Sequence, residues 1–149
     1  MTRDTAREIS VQIVFGASQS DTESMAFLED FFSEEHYSTL AEENELFAEK
    51  PEGSFLEYIR SVVEAVFSHL SEIDAYLQTY SKSWSVKRIS GTARAVLRVA
   101  IAEILYREDV SLATAINSAV EIDKKYDDAE TVAFVNGVLG GFARGEELA

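Results

Sequence analysis

Few residues of this chain are suited to catalysis, and their spacing argues against it. The histidines, His36 and His69, lie on an acidic stretch and inside a helical run, neither with a second ligand at metal-binding spacing. Glu34, Glu35, Glu42, Glu43 and Glu45 lack the alternating Asp/Asn and central glycine of a calcium loop, so they read as a solvated acidic run. Gly137, Gly140 and Gly141 come late in an apolar helical run and not between a strand and a helix, which disqualifies them as a phosphate cradle. The 149 residues include no cysteine, excluding a thiolate zinc site, a cysteine nucleophile and a disulfide scaffold. Nothing assembles nucleophile, base and orienter. The expectation is a binding protein, not an enzyme, with no cofactor and no metal.

Binding chemistry is better represented. Arg3 and Arg7 are four apart and share a helix face, and Phe15 falls near it two turns later. Cations beside an aromatic suit single-stranded RNA, where phosphates need charge and unpaired bases need a flat surface. Phe15 is more often a core residue than a stacking one. Arg94 and Arg98 repeat the four-residue spacing opposite an apolar stripe. Asn136-Gly137 places two poor helix formers inside an apolar helix. Either Gly137 allows close helix packing beside a locally bonded Asn136, or the amide is displayed to a ligand.

The net charge of -14 opposes indiscriminate nucleic-acid binding, since each phosphate contact needs a local cation. The charge is uneven, however. Residues 1–80 carry a net -13 and residues 81–149 only -1, while Ala75 to Ala102 holds Lys82, Lys87, Arg88, Arg94 and Arg98 with no acid. This stretch is either a basic face offsetting the acidic half or an anion site.

The elements carrying these residues are helical, which makes the fold class all-α. Apolar residues recur with i, i+3, i+4 spacing from Phe55 to Leu77, predicting one long helix or two collinear ones. Further stripes run over Ala93–Leu105, Leu112–Val120 and Val132–Phe142, with shorter helices at about 5–17 and 22–32. Thr5-x-x-Glu8 and Asp127-x-x-Glu130 read as capping boxes, and Ser90 and Ser111 as N-caps. Gly140-Gly141 could end or kink the last helix. The stretch 33–53, acidic and closed by Pro51 and Gly53, reads as a mobile connector with a short helix near 41–47. It separates an N-terminal helical part, about 1–80, from a C-terminal one, about 81–149, within a single domain. No apolar run approaches the roughly 20 residues of a membrane span. The N-terminus lacks a signal-peptide layout, so a cytoplasmic location is expected.

Four segments carry a resemblance. Ala6-Arg7-Glu8-x-x-Val11-Gln12, ARAVLRVAIAEILYREDV at 93–110, AINSAVEIDKKY at 115–126 and FVNGVLG at 134–140 resemble, in order and spacing, the NusB family of bacterial transcription antitermination factors. No such match is legible over 18–54. The resemblance implies about seven helices in two small bundles packed across each other. It implies binding of boxA-type RNA together with the ribosomal protein NusE, in an antitermination complex on RNA polymerase, notably at ribosomal RNA operons. Some members of the family also self-associate as homodimers. Carried over by position, the RNA residues would be Arg3, Arg7, Phe15, Arg98, Tyr126, Glu130, Phe134 and Asn136. Asp4, Thr5 and Ala133 stand where the family often has cations, which predicts weakened RNA binding and greater dependence on the protein partner. Two other readings stay open. One is a protein–protein module that has lost RNA binding. The other is a fragment akin to the N-terminal domain of some ribosomal RNA cytosine methyltransferases.

Overall fold

The computed structural model describes residues 1–81 and 89–148, so Lys82, Lys87 and Arg88 of the acid-free stretch lie outside the described residues. Those described form eight α-helices and no strand: α1 (Arg3–Ser18), α2 (Ser24–Phe31), α3 (Glu34–Glu43), α4 (Gly53–Ser68), α5 (Leu70–Tyr80), α6 (Gly91–Tyr106), α7 (Leu112–Asp123) and α8 (Ala129–Gly145). A 3-10 turn covers Glu45–Phe47.

There are eight helices because the 55–77 stripe breaks. His69 leaves helical geometry at φ -120°, ψ 25°, ending α4 and starting α5. Its ring stacks on Tyr106 with centroids 4.1 Å apart. The bend lets both helices bury their stripes, Ile59, Val62 and Val66 before it and Ile73 and Leu77 after it. The acidic stretch is also more structured than its composition suggests. Its helix lies at 34–43 and not 41–47, capped by Ser33 and favoured by Glu34 and Glu35 in the positive first turn. Tyr37 and Phe47 pack edge-to-face, 5.8 Å apart, and the Tyr37 hydroxyl donates to the Glu49 carbonyl at 2.9 Å. Few apolar residues mark this segment because its outer face is solvated.

Neither expected capping box forms, and both helices are capped by a different residue. Thr2 caps α1 by accepting from the Thr5 amide at 3.1 Å. Glu8 is unavailable for a box because its carboxylate turns inward. Asp128 rather than Asp127 caps α8, accepting from the Thr131 amide at 2.8 Å, because Asp127 already accepts from the Ser90 hydroxyl at 3.1 Å. Ser90 and Ser111 cap α6 and α7 as expected. Gly140-Gly141 does not end α8, which continues to Gly145. A β-carbon on Gly141 would make only ordinary contact with the Tyr80 ring, at 3.6 Å, whereas one on Gly145 would fall within 2.6 Å of it, so Gly145 is the glycine that lets the end of α5 approach closely.

Helix α6 is the centre. It touches α1, α4, α5, α7 and α8, and α1 lies across both α4 and α6. Leu97, Ile101, Ile9, Ile13 and Leu139 are fully buried in one continuous apolar cluster, each contributing about 1.5–3 kcal/mol by transfer from water. A helix surrounded in this way has no open basic face, and Arg94 and Arg98 are half-buried. Among the described residues, no helix is long and apolar enough to cross a membrane.

Candidate nucleic-acid interface

Helix α1 carries the first group of expected RNA residues, and the structure turns most of their charge inward. Arg7 is not on the surface. Its side chain is 3% exposed, and it grips the fully buried Glu103 of α6 with two bonds, Nε–Oε1 at 2.6 Å and Nη2–Oε2 at 2.9 Å. Its remaining nitrogen reaches Asp4 and the Ser118 hydroxyl, tying α1 to α7. Arg3 is half-exposed but engaged, lying 4.4 Å over the Tyr58 ring and paired with Asp109 at 3.3 Å. Phe15 is half-buried, and its ring packs on Gly91, where an added β-carbon would fall 2.9 Å from a ring carbon.

Arg98 is likewise held from within. It forks onto Asp74 of α5, with both bonds at 2.9 Å, and donates to Ser18 of α1 at 3.1 Å. Arg3, Arg7 and Phe15 therefore do not form one exposed strip. Side-chain direction was legible from their spacing, but the depth of the helix in the bundle was not.

The exposed members of the set gather around α7 and α8. A cleft of about 790 Å³ separates α7 from α1 and the 3-10 turn, lined by Glu8, Asn44, Asn117, Glu121, Lys125 and Tyr126 among others. A second, of about 530 Å³, lies between α7 and α8, lined by Asn117, Glu121, Lys124, Asp127, Ala133 and Asn136 among others. Asn117 and Glu121 line both, so the two clefts meet over α7. Tyr126 borders the first and Asn136 the second, with Glu130 exposed on the first turn of α8. Phe134 is half-buried against the core.

The charge there is mixed. Asp4, Glu8, Glu45 and Glu121 face a single ammonium, Lys125, in the first cleft. Lys124 is paired with Glu121 at 2.8 Å. Lys125 and the Tyr126 hydroxyl both donate to Glu8, at 2.7 and 2.6 Å. Burial, and then the Glu8 carboxylate, push the Tyr126 phenol well above its ordinary range, so it stays a donor. Such a surface offers amides and a ring to a base more readily than cations to a phosphate.

Gly137 is exposed, with nothing within 4 Å of where a β-carbon would stand. Close helix packing is therefore not its purpose. An exposed glycine inside a helix costs about 1 kcal/mol against alanine, and no contact among the described residues repays it. At the C-terminal end of α7, Asp123 is fully buried beside Asp127, with neither carboxylate oxygen reached by a donor among the described residues. Burial, then the neighbouring Asp127, push its carboxyl up to about 8.

Sequence reasoning missed Glu8, Lys125, Asn117 and Asp123. One signal was available for the core pair: Glu103 is the sole acid in the apolar run 93–106 and needs a buried cation. Among the described residues, no three His, Asp or Glu side chains converge as metal ligands do.

Comparisons with known proteins bear on the family and the fold. The family model described as the NusB family matches residues 4–144, spanning the stretch 18–54 where motifs were illegible. The protein named transcription antitermination protein NusB from Natranaerobius thermophilus is 35% identical, over 93% of this chain and 92% of its own. The one of the same name from Alkaliphilus oremlandii is 34% identical over 99% and 97%. Among solved structures, T. maritima NusB superposes with a TM-score of 0.78 at 26% identity, covering 97% of this chain and 92% of its own. The structure described as antitermination factors NusB and NusE in complex with double-stranded RNA superposes at 0.76, with 21% identity and 96% of each chain covered, a likeness of fold.

Proposed function

The chain belongs to the NusB family, and from that premise we propose that it is a transcription antitermination factor that binds boxA-type RNA together with NusE. It acts by binding, within the antitermination complex on RNA polymerase, and so in the cytoplasm. The observation that carries the RNA assignment is the pair of clefts meeting over α7, with Tyr126 on one and Asn136 on the other. Tyr126, Asn136, Phe134 and Glu130 contact RNA in this reading, joined by Asn117. Arg7 and Arg98 support the face from behind, and Arg3 reaches phosphate only by giving up Asp109.

The salt dependence follows. Each phosphate neutralised on a single strand adds about 0.7 to the slope of log K against log salt, and Lys124, Lys125 and Arg3 are all engaged by carboxylates. The isolated protein will show a slope below about 2 and bind boxA-type RNA more tightly once NusE is added. Anisotropy titrations with boxA-type and scrambled RNA, with and without NusE, measure both. The carboxylates of the first cleft favour a second reading, a NusE-binding module without RNA selectivity. Equal affinity for the two RNAs in the presence of NusE would install it.

Gly137→Ala separates function from folding. The variant will be more stable by about 0.5–1 kcal/mol, from helix propensity alone. It will bind RNA or partner more weakly, because a methyl group stands where a backbone approached. A rise in melting temperature with unchanged binding would remove Gly137 from the interface.

A further inference from the structure

Glu8 lies on α1 with its side chain only 7% exposed, yet both its oxygens are spent on neighbours that reach solvent. Lys125 is 62% exposed at its side chain and Tyr126 38% exposed as a residue. Both follow the end of α7, where helical geometry no longer dictates ring or ammonium direction. Taking a carboxylate out of water is costly, and packing α1 against α7 does not require it, since Arg7 already joins them through Ser118. What the Glu8 bonds decide is where Lys125 and Tyr126 point. The phenol oxygen is consumed, leaving the ring as what Tyr126 offers to the cleft, and the ammonium is neutralised where it could have met a phosphate.

We propose that Glu8 is a positioning residue for RNA: it fixes the Tyr126 ring as a stacking platform for one unpaired base and withholds the Lys125 charge from the backbone. This rests on the assignment of the clefts beside α7 to RNA. Selectivity here comes from the base that stacks, a term that tolerates salt, and an alternative cation-led grip on phosphate is suppressed.

The test is a salt series of anisotropy titrations with a labelled single-stranded boxA-type RNA, using the full chain and Glu8→Gln, Glu8→Ala and Tyr126→Ala. Tyr126→Ala will weaken binding about 10-fold, the effect of losing one stacked base. Glu8→Ala frees both the ring and the ammonium, so it will weaken binding by less than Tyr126→Ala, about 3-fold, and steepen the slope as Glu8→Gln does. Glu8→Gln keeps an acceptor for the phenol but releases the ammonium. It will hold affinity within about 3-fold and steepen the slope of log K against log salt by about 0.7. An abasic site at the stacked position will erase the difference between Tyr126→Ala and the natural chain. A Glu8 that only props up the fold would lower the melting temperature without moving the slope, and an unmoved slope in Glu8→Gln overturns the proposal. Should Glu8→Ala not fold, the slope of Glu8→Gln decides alone. If Tyr126→Ala binds as the natural chain does, the RNA assignment of the cleft fails first.

Discussion

Arg7→Ala will destabilise the protein by about 3–5 kcal/mol, the loss expected when a buried charge is left without its partner. Glu103 is fully buried, and both its oxygens accept from Arg7. Burial alone would discourage the Arg7 charge, but the hydrogen-bonded Glu103 outweighs it and holds the guanidinium firmly protonated. Arg7→Lys will lose about 1–3 kcal/mol, since an ammonium cannot reproduce the fork. The paired replacement Arg7→Leu with Glu103→Leu will recover most of the loss, because two apolar side chains leave no orphaned charge. Urea midpoints of the four proteins measure this. The double variant will also bind boxA-type RNA within about threefold of the natural chain, if the phosphate contribution of Arg7 is nil at a slope of 0.7 per contact. Retained stability with lost RNA binding would return Arg7 to the interface.

Asp123→Asn will stabilise the protein at pH 8 by several kcal/mol and hardly at all near pH 4. The unfolded chain releases this proton near 3.8, whereas the folded chain keeps it up to about pH 8. Between those values the native state binds the extra proton. Stability from this group is therefore full below pH 4, falls by about 1.4 kcal/mol per pH unit, and levels off above pH 8. The asparagine does not titrate and can donate to Asp127, so it removes the fall. Other carboxylates act oppositely. Asp109 is held down by Arg107, Glu29 by Arg60, and Glu23 and Asp128 by backbone amides of the helices they cap. Their contributions are present at neutral pH and vanish as pH drops through the low carboxylate range. The natural chain will accordingly be most stable in mildly acid solution. Urea denaturation at pH 5 and pH 8 reads the effect, and equal gains at both would contradict it.

Periodicity and capping were enough to place most of the helices. The stripes at 93–105 and 132–142 lie inside α6 and α8, and Ser90 and Ser111 cap where local chemistry requires. These features depend on neighbours three or four residues away, so they can be read along the chain. The family was legible for a related reason. The Arg7–Glu103 pair and the glycine of FVNG, which lie inside the matching segments, are constraints that specific residue types must meet. The acidic stretch 33–53 was misread because the outer face of α3 carries no pattern, and its order comes from aromatic contacts of Phe31, Phe32 and Tyr37 with one another and with Phe47.

Only the tertiary structure decided which cations meet solvent. Arg3, Arg7, Arg94 and Arg98 all sit at plausible surface spacing, yet α1 and α6 are the most enclosed helices, and enclosure arises from partners far along the chain. A guanidinium can be exposed or paired in the core with the same local sequence, because the deciding carboxylate, Glu103 for Arg7 and Asp74 for Arg98, is 96 or 24 residues away. The same long-range pairing turned Glu8 from an expected helix cap into the residue that holds Lys125 and Tyr126. Helix positions are a property of the sequence. The chemistry of the face they present was settled by which charges folding brought within 3 Å of each other.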